Sequence, residues 1–176
     1  MRTFVLAGGC FWCLDAVYRT LDGVTEVVSG YTGGRVPNPS YELVCTGTTD
    51  HAEAVAVTFD ETVIPSSVIL DVFFSLHDPR QLNRQGNDIG TQYRSAMFYA
   101  DDEQKAEFEE ARERASEAWG DGIVTTITKL GEYYPAEDYH QEYWEGEGQR
   151  NPYCLAVIPP KLMKLRKSFQ DKVKAG

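Results

Sequence analysis

The stretch Phe4-Val5-Leu6-Ala7-Gly8-Gly9-Cys10-Phe11-Trp12-Cys13 decides how the chain is read. Its first four residues are a short apolar run of the kind that makes a buried strand. Gly8 and Gly9 then give a tight turn and let other groups approach the backbone. Leu14, Val17, Tyr18 and Leu21 follow at helical spacing. Cys10 therefore falls at or beside a helix N-terminus, where unpaired N–H groups and the helix dipole favour an anion. A thiol there is expected to lose its proton more easily, and the thiolate is the nucleophile. The plainer alternative is that Cys10 is a small buried apolar residue.

The chain has 176 residues, enough for one domain with a full-sized core. We expect a single catalytic domain over 1–176, with its core over about 1–144 and a tail and helix over 145–176. The net charge of -10 argues against nucleic acid or an acidic membrane as partner. It favours a soluble, self-repelling monomer. No apolar run approaches the ~18 residues of a membrane span. No long apolar core follows Arg2, so no secretory signal is read. The four cysteines, Cys10, Cys13, Cys45 and Cys154, are then expected in the cytoplasm, doing redox or metal chemistry rather than framing disulfides.

Outward from the opening stretch, strands are expected over 2–7, 24–31, 52–59, 93–99 and 123–128, the last a candidate sheet edge. Helices are expected over 11–21, from Pro65 to Leu76, over 101–119 up to the Gly120-Asp121-Gly122 stop, over 136–144, and over 161–174. Segments 32–50 and 77–92 read as long polar loops, a length that is usually functional or disordered. The core order β-α-β-β-α-β is an α+β arrangement, the ferredoxin-like split βαβ plait, with an antiparallel or mixed sheet and its helices packed on it.

Cys10-Phe11-Trp12-Cys13 is a C-x-x-C, which a thioredoxin-like dithiol carrier also places at a helix start. Here the pair follows the first strand, and two bulky aromatics fill its middle, more like a wall for a ligand. A zinc site would need His51, His77 or His140 as further ligands, with no second C-x-x-C and no close His pair to support it. Glu53 stands among alanines and valine. A carboxyl with apolar neighbours has a raised pKa and can serve as a general acid. The alternative for Glu53 is an outward-facing strand position.

Gly-Cys-Phe-Trp after a strand is followed, in order, by Gly30-Tyr31-Thr32-Gly33-Gly34, His51-Ala52-Glu53, the stretch from Arg84 through Asp88 to Gly90-Thr91-Gln92-Tyr93-Arg94-Ser95, and Tyr139-His140-Gln141. This combination resembles the peptide methionine sulfoxide reductase A family from Phe4 to about Cys154. The resemblance implies the same split βαβ plait and reduction of the S epimer of methionine sulfoxide, free or in proteins, without flavin or metal cofactor. It makes Cys10 the nucleophile that attacks the sulfoxide sulfur. Phe11 and Trp12 would hold the S-methyl group, Glu53 would protonate the oxygen, and Tyr41 and Tyr93 would hydrogen-bond it. Asp88 and His140 would line the site more peripherally. The Cys10 sulfenic acid would condense with a second thiol, and a dithiol donor such as thioredoxin would reduce the disulfide.

Many relatives have glycine where Cys13 stands. Cys154 matches a tail cysteine that resolves the sulfenic acid in other members and is favoured here on that resemblance. Cys13 is the second candidate; with Cys154 as resolver it would be a bystander or take part in a later relay, and Cys45 is expected to be a structural thiol.

Overall fold

Strand β1 (Arg2–Ala7) sorts the molecule into two layers. Successive side chains of a strand point to opposite faces. Phe4 and Leu6 join the large core, while Val5 and Ala7 join a small one with Ala52, Ala54, Ala96 and Phe98. The computed structural model describes residues 1–86 and 88–173. After β1 come α1 (Phe11–Tyr18), β2 (Val24–Thr32), α2 (Tyr41–Cys45), β3 (Ala52–Phe59), α3 (Ser66–Leu76), β4 (Arg84–Gln85), β5 (Asp88–Ile89), β6 (Ala96–Tyr99), α4 (Asp102–Trp119), β7 (Thr126–Lys129), β8 (Tyr133–Pro135) and α5 (Pro152–Ser168).

The main sheet runs β7-β6-β1-β3-β2-β8, and β4 pairs with β5 in a separate ribbon. Neighbours in the main sheet are antiparallel, except that β6 and β7 are parallel. The fold is therefore mixed α+β. The larger core lies on one sheet face, where α1, α3, α4 and α5 supply Leu14, Phe73, Phe108 and Ile158. Phe4 sits at its centre, with its ring 5.0 Å from Phe59 and 5.1 Å from Phe108.

The strand over 52–59 and the helix that Asp101 caps and Gly120 ends lie where the sequence puts them. Other elements differ. The strand expected over 93–99 starts at Ala96, because Tyr93 belongs to a 3-10 turn (Thr91–Tyr93) entered through Gly90 at φ 146. The loop over 32–50 contains the one-turn helix α2, capped by Ser40. The helix expected over 136–144 is absent apart from a 3-10 turn (Asp138–His140). There Gln141 pairs with both Ser29 backbone groups at 2.9 Å and with the Ala136 carbonyl at 3.0 Å, and β8 holds the preceding chain as an edge strand. The last helix begins at Pro152, nine residues earlier than expected, with Pro159 and Pro160 inside it. Proline normally breaks a helix interior, which hid this element. Lys174, its expected end, lies outside the described residues.

Phe108→Ala is expected to cost about 3–5 kcal/mol, because it empties the contact between α4 and the sheet. Glu110→Ala, on the exposed side of α4, should stay within about 0.5 kcal/mol. Urea unfolding of the two variants checks this difference.

Candidate active site

The Gly8-Gly9 turn fixes where α1 starts. A Cβ on Gly8 would lie 3.0 Å from the His77 ring, and Gly9 has φ +83 with the Gln85 side chain 3.0 Å away. His77 is itself fixed. Its Nδ1 donates to the Phe73 carbonyl at 2.8 Å, so Nε2 accepts from the Ser95 hydroxyl at 2.7 Å. Burial pushes His77 down to about 4, which keeps the ring neutral in that role. The Gly9 N–H donates to the Tyr93 carbonyl at 3.2 Å, tying the turn to the 3-10 segment.

Cys10 is the residue before the first turn of α1 and is 8% exposed. Its carbonyl accepts the Cys13 N–H at 3.1 Å. The expected easy loss of the thiol proton does not survive folding. Burial pushes the Cys10 thiol well above the ordinary thiol range, and the Cys13 side chain and the Glu53 charge push the same way. The helix N-terminus does act, through the Trp12 N–H, but burial outweighs it.

Glu53, in β3, points toward the helices rather than outward and is 1% exposed. Its Oε1 accepts the Phe11 N–H at 3.2 Å, so it is joined to the first residue of α1. Its Oε2 is buried without a hydrogen-bond partner. Burial pushes this carboxyl up to about 8, against the Phe11 N–H, so at neutral pH it carries its proton.

Aromatic rings line α1 beside this carboxyl. Phe11 packs 6.3 Å from Tyr41 and 5.2 Å from His140. The Trp12 indole N–H donates to His140 Nδ1 at 3.0 Å, and Tyr143 stacks on Trp12 at 4.0 Å. Burial lowers the His140 pKa, in keeping with a neutral ring that accepts at Nδ1. Tyr41 and Tyr93 are both held well above the ordinary phenol range, first by burial and next by the Glu53 charge. Both hydroxyls therefore stay protonated as donors. Glu137 sets the Tyr41 backbone, with one carboxylate oxygen accepting the Tyr31 hydroxyl at 3.0 Å and the other the Tyr41 N–H at 3.1 Å.

A different space opens on the other flank of Cys10. A cleft of about 440 Å³ is lined by Cys10, Cys13, Asp88, Tyr153 and Lys161, among others. Asp88 thus stands on the Cys13 side, where its carboxylate accepts the Tyr153 hydroxyl. Cys154 is 0% exposed in the first turn of α5, capped by Asn151. Burial, then the Cys13 charge, raises the Cys154 thiol to about 11. Cys13 thus interacts electrostatically with both Cys10 and Cys154. Cys45 is exposed and hydrogen-bonds Tyr41, because Val44 takes the buried place in α2. Among the described residues, no group of three His, Cys, Asp or Glu side chains could hold a metal ion.

A family model described as Peptide methionine sulfoxide reductase matches residues 2–173. The chain belongs to the peptide methionine sulfoxide reductase family. It is 63% identical over the whole length of both chains to the peptide methionine sulfoxide reductase MsrA of Clavibacter michiganensis. Mxr1 from Saccharomyces cerevisiae in reduced form is similar in structure, with a TM-score of 0.79, 37% identity and 86% of each chain covered. Mxr1 in complex with Trx2 matches at a TM-score of 0.59 and 27% identity, covering 81% of this chain and 84% of that one.

Four supporting residues of this reductase escaped the sequence reading: Glu137, Tyr143, Tyr153 and Lys161. Three lie in polar stretches beside Tyr139-His140-Gln141 and Cys154, and that closeness was the only signal available. Lys161 had none, since in the sequence it is only the first residue of the expected last helix.

The raised Glu53 pKa has a consequence for stability. From about 4.5 to about 8 the folded chain keeps a proton that the unfolded chain has lost. The contribution is therefore fully present at low pH and is lost as pH rises through that window. Asp15, raised to about 7 by burial despite Arg19, adds a similar slope. Glu53→Gln should remove the Glu53 part and flatten the fall. Urea unfolding at stepped pH measures this, and a slope unchanged from wild type would contradict the assignment.

Proposed function

We propose that this reductase converts methionine-S-sulfoxide, free or in proteins, to methionine, and that thioredoxin returns it to the dithiol state. The observation that carries the reading is the meeting of Cys10 and the protonated Glu53 carboxyl at the first turn of α1, bridged by the Phe11 N–H at 3.2 Å. The rings of Phe11, Trp12, Tyr41 and His140 beside that carboxyl supply an apolar wall suited to a methyl thioether, which a dithiol carrier does not need. The Mxr1 complex with Trx2 supports thioredoxin as the donor. The four free cysteines suit a reducing, cytoplasmic setting. The strand order β6-β1-β3-β2 supports reading the core as the split βαβ plait.

In the proposed reaction the substrate methyl lies against Phe11 and Trp12, whose faces suit a methyl and a polarizable sulfur. Tyr41 and Tyr93 hydrogen-bond the sulfoxide oxygen while charge changes on it. His140 and Asp88 lie further out. Glu53 gives its proton to that oxygen and the Cys10 sulfur attacks the sulfoxide sulfur. The oxygen passes to Cys10 as a sulfenic acid, methionine leaves, and the thiol proton of Cys10 restores Glu53. The substrate sulfur is reduced by two electrons and Cys10 is oxidised by two.

Resemblance favours Cys154 as the thiol that resolves the sulfenic acid. Against that resemblance, Cys13 lines the same cleft as Cys10, which Cys154 does not line, and its N–H bonds the Cys10 carbonyl at 3.1 Å; this supports a relay with Cys13 first and Cys154 second.

Glu53→Gln should lower sulfoxide turnover by about 10²–10⁴-fold, the usual worth of a placed general acid. The wild-type rate should fall as pH rises through about 8, where Glu53 loses its proton, and the variant should lack that limb. Steady-state assays across pH check both. A variant that turns over like wild type would remove Glu53 from the role of general acid.

A further inference from the structure

The cleft on the Cys13 flank is separate from the aromatic wall. Among its described lining residues it has one cation, Lys161, and one anion, Asp88. Lys161 projects from α5, and its ammonium donates to the Leu76 carbonyl at 2.7 Å, at the C-terminal end of α3. That bond anchors a flexible side chain beside the cleft. Asp88, the opposing charge, is engaged by the Tyr153 hydroxyl.

We propose that Lys161 is a positioning residue for the second half of the reaction: its ammonium holds negative charge on the Cys13 sulfur, so that Cys13 attacks the oxidised Cys10. This rests on the reading of Cys13 as the first resolving thiol. In the step, the Cys13 thiolate attacks the sulfur of the Cys10 sulfenic acid. The S–S bond forms, the S–O bond breaks, and the leaving hydroxide takes up the proton that Cys13 gave away. One water is released, and no outside oxidant or reductant is needed.

The charges around Cys13 agree. The Cys10 side chain and Lys161 both lower its pKa, while burial and Asp88 raise it. Cys154, in the first turn of α5, is itself raised by the Cys13 charge. The bond to the Leu76 carbonyl also sets the ammonium beside the chain at His77, whose ring packs against the turn before α1. A cation there leaves the first half-reaction, which needs Glu53 and a neutral Cys10 thiol, on the other flank of α1.

The test follows the Cys10 sulfenic acid after one turnover with methionine-S-sulfoxide and no reductant, by dimedone trapping and disulfide mapping across pH. In Lys161→Met the sulfenic acid should persist longer, and the pH midpoint of its conversion to the Cys10–Cys13 disulfide should rise by about one unit, the scale of one lost neighbouring charge. Lys161→Arg should restore the wild-type midpoint. Thiolate absorbance of Cys13 in a Cys10→Ser background should shift the same way, and it tests the point even if the turnover assay is slowed by misfolding. If Lys161→Met closes the disulfide with the wild-type pH dependence while Cys13→Ser stalls as sulfenic acid, the role of Lys161 is overturned and Cys13 keeps its place. If Cys13→Ser forms a Cys10–Cys154 bond as fast as wild type forms its first disulfide, the reading of Cys13 falls, and this inference falls with it.

Discussion

One contact constrains the rest: the Phe11 N–H donating to the buried Glu53 carboxyl. It joins the first residue of α1 to the middle strand pair of the sheet. Burial of Glu53 costs stability if the group is charged, so the folded chain keeps it neutral. The same burial keeps the Cys10 thiol protonated. Two neutral groups can share a dry site that would repel two anions. In the proposed reaction a proton would move only when a polar oxide enters between them.

Helix α1 divides the chemistry into two flanks. Phe11 and Trp12 turn toward Tyr41, His140 and Tyr143, a wall suited to a methyl thioether. Cys13, one turn on, lines a cleft with Asp88, Tyr153 and Lys161. In the proposed reaction, substrate reduction and thiol exchange would therefore reach the same sulfur from different sides. Glu137 and Gln141 hold the loops of the aromatic flank with carboxylate and amide bonds to backbone, in place of regular structure. On the thiol flank Asn151 caps α5, and the Lys161 ammonium ties that helix to the end of α3.

Much of this was legible locally. The apolar run ending in Gly8-Gly9 gave β1 and the turn, and the capped, Gly-stopped charged stretch gave α4, because those signals act within a few residues. Glu53 stood out because a carboxyl among alanine and valine in a strand is costly without a purpose. The rest depends on distant partners. Helix α5 was masked because Pro159-Pro160 argue against a helix, whereas packing of Cys154, Ile158 and Leu165 into the core holds one there. The 136–144 stretch looked helical until Gln141 paired with Ser29 from another strand. The helix-start rule for Cys10 was sound locally, and tertiary burial reversed its outcome. The C-x-x-C spacing already put Cys13 beside Cys10, but its interaction with Cys154 has no trace in sequence spacing.

The most direct measurement is a single turnover of the fully reduced protein with each epimer of methionine sulfoxide, without added reductant. The account predicts methionine from the S epimer only, in an amount matching the protein, with Cys10 ending in a disulfide. No methionine from either epimer, with all four thiols still reduced, would contradict it.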